Sequence, residues 1–150
     1  MPTIREISAV DYLPDMWPLL AAHREELTVR KDIMELNPLV EVYRELEDKG
    51  TLLSLGVFDD DGSLIGYSIN ILAPNLHYGD VMMCQNDVLF LREDHRKGTL
   101  GLRLMRETES QAKARGAEVM VWHAKPGSNL DQVLQRLRYD VQDIVYTGVL

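Results

Sequence analysis

Ile4 and Ile7 recur among polar residues over Thr3–Ser8, a spacing that predicts a short first strand. From Asp11 to Leu27 the period changes. Leu13, Met16, Trp17, Leu20 and then Leu27 fall at helical spacing, while Pro14 and Pro18 suit a helix start, or a break between two short helices, rather than a helix interior. Asn37–Pro38 supplies a cap and a first helical position. Leu39, Val42, Tyr43 and Leu46 then share one face, and Gly50 stops the helix.

Strand patterns follow. Leu52–Phe58 is apolar, Asp59–Gly62 is a turn, and Ser63–Leu72 resumes the strand, which predicts a hairpin. Pro74–Gly79 reads as a loop and Val81–Leu91 as another strand. Gly98–Gly116 predicts a helix that buries Leu100, Leu104, Met105, Thr108 and Ala112. Glu118–Ala124 predicts a strand, Asn129–Leu137 a short helix, and Val141–Val149 a last strand. The order β-α-α-β-β-β-α-β-α-β predicts one domain over residues 1–150, an α/β (α+β mixed) fold whose mostly antiparallel sheet is flanked by helices.

With 150 residues, the chain can bury a core without disulfide staples. Its one cysteine, Cys84, has no internal partner, which suits a reducing compartment. The N-terminus carries no long apolar stretch, and no apolar run approaches the roughly 18–20 residues of a membrane span. A cytoplasmic location with no membrane partner is therefore expected. The net charge of −8 is unevenly placed, with a balance of −10 over residues 1–91 and +2 over residues 92–150. An acidic first part argues against nucleic acid as a partner, which needs dense cation contacts to phosphates. It fits a cationic substrate, and equally a solvated surface.

The segment from Val88 to Met105 carries the chemistry. A buried strand runs into a basic, glycine-containing turn and opens a helix. N–H groups at a helix start lack internal partners, and the helix dipole favours an anion there. Gly98 and Gly101 leave room for close backbone approach, and Arg96 and Lys97 add positive charge. A phosphate or pyrophosphate site is the physical inference, against an ordinary strand–helix connection.

Arg96-Lys-Gly-Thr-Leu-Gly101 resembles the acetyl-CoA motif of the GNAT N-acetyltransferases, Arg/Gln-x-x-Gly/Ala-x-Gly/Ala, with Thr99 in place of the usual small residue. The element order of nearly the whole chain is similar to that family's. The wording Arg-Lys-Gly-x-x-Gly-Leu-Arg-Leu, followed by Glu109 and a Trp-His strand end, looks most like phage and prophage members. The resemblance implies acetyl-CoA as cofactor. Leu89, Phe90 and Leu91 would offer backbone groups to the acetyl carbonyl and pantetheine. Arg96, Lys97, Gly98, Thr99, Leu100, Gly101 and Leu102 would hold the pyrophosphate. The strand Glu118–Ala124 would splay from Val81–Leu91 to open a slot. Asn129 sits where many members carry an asparagine that touches the pantetheine arm; a surface N-cap is the alternative for it. No metal site is expected.

Acyl transfer to an amine needs a neutral amine, a polarised carbonyl and a proton for the leaving thiolate. Asp87 is the first candidate base. By period-two alternation it would share a face with Leu89 and Leu91, and a carboxyl among apolar neighbours is desolvated, which suits a base working near neutral pH. The alternative is a structural Asp87. His123, ending the adjacent strand, is the second candidate, and Cys84 has no activating neighbour in sequence. The tyrosine that protonates the thiolate in many family members is absent; its place falls near Leu134. Tyr146, Tyr78 or water would substitute.

The first two helices, rich in carboxylates, would bind the acceptor. A polyamine, an aminosugar, a protein lysine or N-terminal amine, and a modified nucleobase all fit. A non-catalytic CoA-binding or interaction protein on the same scaffold is the competing function. The Gly-x-x-x-x-Gly-Lys-Ser/Thr pattern of nucleotide-phosphate enzymes is missing. The apolar last strand, as in other members of the family, predicts a homodimer paired through it.

Overall fold

Five strands lie side by side in the order in which the chain visits them: β1 (Thr3–Glu6), β2 (Leu52–Phe58), β3 (Leu64–Pro74), β4 (Met82–Leu91) and β5 (Val119–Val121). The structure, a computed structural model, describes all residues from Met1 to Leu150. Four helices accompany the sheet: α1 (Leu13–Leu27), α2 (Val40–Asp48), α3 (Leu100–Ala114) and α4 (Asn129–Arg136). Every pairing is antiparallel except β4 with β5. A parallel pair needs a crossover, and α3 provides it.

The β2–β3 hairpin forms where the sequence predicts it. Gly62 takes the turn with φ +87°, and the Asp59 carboxylate accepts from the N–H groups of Asp61 (3.1 Å) and Ser63 (3.2 Å). The sheet is covered on both faces. Met16, Leu19 and Leu20 of α1 pack on Tyr67, Ile69 and Phe90, with Tyr43 and Leu46 of α2 beside them. Leu100, Leu104 and Ala112 of α3 pack on Leu53, Leu55, Val57, Ile65 and Leu91. Burial on both faces explains why β2 carries apolar residues on both faces rather than alternating apolar and polar ones. No helix is long and apolar enough to cross a membrane.

Four expectations need correction. Helix α1 is continuous through Pro18. That proline lies early in the helix, and the carbonyl left without its N–H partner belongs to exposed Pro14. Helix α2 begins at Val40, with Leu39 as its cap rather than Asn37. Strand β5 is only Val119–Val121, shorter than Glu118–Ala124. Finally, Val141–Val149 forms no strand, and no residue beyond Tyr139 makes a backbone hydrogen bond. Its apolar residues suit a strand, but strand structure requires a neighbouring ladder, and none lies along this segment.

Candidate active site

Strand β4 is built around an irregularity. Its register with β3 pairs Ile69 with Val88 and Asn70 with Asn86, so Asp87 is an extra residue, a β-bulge. The bulge resets the alternation of side chains. Cys84 faces α3, and so do Leu89 and Leu91, although Leu89 lies five positions after Cys84, an odd number. Val88 and Phe90 face α1 and α2. Asp87, three residues from Cys84, therefore belongs to the α1/α2 face, where its charge acts on His23 and Tyr43.

The second edge of β4 is open along the same stretch. Its parallel pairing with β5 ends at Gln85 and Val121. Beyond that pair the chains separate. Trp122 turns to donate from Nε1 to Glu109 of α3 (3.0 Å), and Tyr139 also bonds to Glu109. Residues Asn86–Leu91 thus border the slot expected between the two strands.

At the far end of β4, Glu93–His95 forms a single 3-10 turn and Gly98 takes φ +96° before α3 begins. None of the N–H groups of Lys97, Gly98, Thr99, Leu100, Gly101 and Leu102 has a partner in the protein, and no side chain caps the helix. The first backbone bond of this turn is Arg103 N–H to Thr99 O (2.9 Å). A Cβ at Gly101 would meet no atom within 4 Å, so the approach to these donors is open. Unpartnered donors at the positive end of a helix dipole fit a pyrophosphate.

Arg96 makes contacts that the sequence does not indicate. Its Nε donates to Leu91 O (2.6 Å), and its two Nη groups hold the Glu26 carboxylate (2.5 and 2.7 Å). The guanidinium also lies over the Phe90 ring (5.2 Å). Three of its five N–H donors thus bind α1 to β4, and the turn they brace carries Lys97 and the unpartnered backbone donors. This pair lowers the pKa of Glu26, chiefly through the hydrogen bonds from Arg96. One turn earlier on α1, His23 stacks on Phe90 (5.3 Å between centroids, 18°), and its Nδ1 lies 3.3 Å from Tyr67 Oη. Burial pushes the His23 pKa below its ordinary value, against the nearby carboxylates Glu26 and Asp87. Burial also raises the Tyr67 pKa.

Asp87 is exposed, so the apolar surroundings expected for it are absent, and the bulge removes it from the face of Leu89 and Leu91. His123 lies just past β5, exposed, with no hydrogen-bond partner. Asn129 is exposed at the first position of α4. The cap is Ser128, whose hydroxyl accepts from Asp131 N–H (3.2 Å), so the capping alternative for Asn129 falls. Tyr146 and Tyr78 are 88% and 71% exposed, and neither makes a side-chain hydrogen bond. Cys84 is buried, and burial pushes its thiol up to about 11, consistent with an unreactive side chain. The clasp of His23, Glu26, Phe90 and Arg96 was missed in the sequence. The only local signal was the three-residue spacing that puts His23 and Glu26 on one helix face.

No protein-family model matches the sequence. No curated protein matches it either. Solved structures do. A ribosomal-protein-alanine N-acetyltransferase from Brucella melitensis superposes with a TM-score of 0.71 at 19% identity, covering 100% of this chain and 99% of the other. An aminoglycoside acetyltransferase from an uncultured soil metagenomic sample gives 0.77 at 15%, covering 100% and 99%. A transcriptional regulator from Bacillus halodurans gives 0.75 at 15%, covering 100% of both chains. Names so different on one scaffold show that the fold does not fix the function. The mixed, mostly antiparallel sheet, the splayed β4–β5 pair and the unpartnered start of α3 belong to a chain with the fold of the GNAT acetyltransferases.

Proposed function

We propose that this protein is an acetyl-CoA-dependent N-acetyltransferase that acts on a primary amine of a small cationic molecule or a protein. The observation that carries the reading is the row of unpartnered N–H groups at Lys97–Leu102, set at the end of the strand that borders an open slot. Acetyl-CoA supplies the activated acyl group. Lys97 and the N–H groups of Gly98, Thr99, Leu100, Gly101 and Leu102 bind its pyrophosphate, with Arg96 bracing the turn. Backbone groups of Leu89, Phe90 and Leu91 face the pantetheine and the acyl carbonyl, and a backbone N–H there polarises that carbonyl. Asn129 meets the arm from the other side of the slot.

The proton must leave the acceptor amine as its nitrogen forms the new C–N bond and the C–S bond breaks. Asp87, projected by the bulge toward α1 and α2, takes it directly or through water. His123, across the slot, is the second choice. The released thiolate takes a proton from water, since position 134 is a leucine, the hydroxyl of nearby Tyr139 is bonded to Glu109, and Tyr146 and Tyr78 lie in solvent. Carboxylates concentrated in residues 1–91 favour a cationic acceptor. Polyamines, aminosugars and protein amines share that chemistry, and the phage-like wording of the motif adds modified nucleobases.

A second reading, a CoA-binding protein without turnover, draws on the missing tyrosine and the exposure of Asp87. Incubation with acetyl-CoA and a panel of amines, read by mass spectrometry, separates the two. Acetylated product supports transfer. Cofactor binding with no product from any amine, or from a cell extract, supports the second reading, and failure to bind acetyl-CoA sinks both. We also propose a cytoplasmic location and a homodimer in which Asp143–Leu150 pairs with a second copy; a monomer mass at micromolar concentration would overturn the dimer.

A further inference from the structure

Five polar side chains are buried in this protein: Ser54, Ser68, Asn70, Asn86 and Thr108. Four of them form one continuous chain that ends at the β4 bulge. Asn86, 2% exposed, donates from Nδ2 to Val88 O (3.1 Å) and to Asn70 Oδ1 (2.9 Å), so its amide spans the bulge. Asn70 donates from Nδ2 to Leu53 O (3.0 Å) and Ser68 Oγ (2.9 Å). The Ser68 and Thr108 hydroxyls lie 3.0 Å apart, and Thr108 donates to Leu104 O within α3 (2.8 Å). Each amide has two protons, and each has two short acceptors. The chain therefore runs from the bulge, through β3 and its contact with β2, to the middle of α3.

Such a network has a cost. Buried polar groups must all be satisfied, and an apolar quartet of similar size would pack without that demand. The sequence around the bulge explains what the network contributes. Val88, Leu89, Phe90 and Leu91 are apolar in succession, and they enter the cores on alternate faces of the sheet. With apolar residues on both faces, a slip of one residue still buries apolar side chains, so hydrophobic patterning does not specify the register. A bulge also loses ladder bonds that a regular strand would keep. Asn86 supplies the register mark that Val88–Leu91 lacks: with Asp87 looped out between them, its amide bonds to the Val88 carbonyl.

We infer that Asn86 is the positioning residue of the acyl-transfer site, holding the bulge that presents Asp87 to the α1/α2 face and Val88–Leu91 to the slot, with Asn70, Ser68 and Thr108 locking it to α3. This rests on the proposed acetyl transfer for its catalytic consequence but not for its structural one. Thr108 lies in the same helix whose start offers the pyrophosphate donors, so the network ties both ends of the cofactor slot to one rigid element.

The decisive variant is Asn70→Leu/Asn86→Leu. It removes both amides together, and Ser68 and Thr108 keep each other, so few polar atoms are orphaned. Two readouts are needed. Cross-strand NOEs between Ile69 and Val88, and between Asn70 and Asn86 in the unmodified protein, report the register whether or not the protein transfers acetyl groups. Turnover and KM for acetyl-CoA report the site. The folded double variant should lose the Ile69–Val88 pairing, and kcat should fall by about ten- to hundredfold, the scale of a small misplacement of reacting groups. KM for acetyl-CoA should move less than kcat, because the pyrophosphate donors are untouched and only the pantetheine contacts of Leu89–Leu91 shift. A folded double variant with the original register, or with unchanged kcat, overturns the inference. In the unmodified protein, the side-chain amide protons of Asn86 and Asn70 should exchange with solvent as slowly as the central strands. Exchange at the rate of a surface asparagine overturns the inference without any variant. If the unmodified protein acetylates nothing, the proposed function fails, and the register and exchange measurements still decide the role of Asn86.

Discussion

Replacing Gly101 by glutamate puts a carboxylate at the start of α3, among N–H groups that have no partner in the protein. A Cβ there meets nothing within 4 Å, so the new side chain does not disturb the fold on steric grounds. Its charge is the perturbation. Two like charges about 4 Å apart at an effective dielectric near 20 repel by about 4 kcal/mol. Gly101 is half-buried, and solvent screening reduces this to about 2–4 kcal/mol, a loss of about thirty- to a thousandfold in affinity. Acetyl-CoA at about a hundred times its Kd should stabilise the unmodified protein by about 2.7 kcal/mol. For a chain of this size, that is a rise of about 5–10 °C in melting temperature. In Gly101→Glu the rise should shrink to less than about 3 °C. Gly101→Ala is the control for the fold, since it adds the Cβ without the charge. Thermal melts with and without acetyl-CoA measure all three proteins. An undiminished rise in Gly101→Glu would remove Lys97–Leu102 as the pyrophosphate site.

Asp87→Asn keeps the shape of the bulge residue and removes its proton acceptor. Turnover should fall at least about tenfold with acetyl-CoA affinity unchanged, and the deficit should narrow at high pH; normal turnover would pass the role to His123. Burial holds the His23 pKa below 6.5 in the folded state, so the unfolded chain binds the proton more readily. Its contribution is present above pH 6.5 and is lost as pH falls through the folded value. Urea midpoints should therefore drop more between pH 7 and pH 5 for the unmodified protein than for His23→Phe, and parallel drops would refute this. Arg138 follows α4 with φ +62°, the left-handed region that favours glycine. Arg138→Gly should stabilise by about 0.5–1 kcal/mol, raising the melting temperature by about 1–4 °C; a fall would show that the arginine side chain contributes more than its backbone costs.

Much of this molecule follows from local sequence. The buried face of α3, Leu100, Leu104, Met105, Thr108 and Ala112, is legible because a helix repeats its core positions every three or four residues. The Asp59–Gly62 turn is legible because it needs a positive φ that glycine tolerates. The pyrophosphate turn is legible because its donors are backbone groups next to one another in the chain.

What the tertiary structure decided depends on partners distant in sequence. Period-two alternation put Asp87 on the face of Leu89 and Leu91, but the pairing of β4 with β3 looped it out and reversed that assignment. Sequence alone gives Arg96 no partner, and the fold pairs it with Glu26, seventy positions away. Val141–Val149 has strand composition, yet a strand exists only where another ladder lies beside it. Local propensity and spacing act within a few residues, whereas register, ion pairing and sheet edges are set by whichever segments the fold brings together.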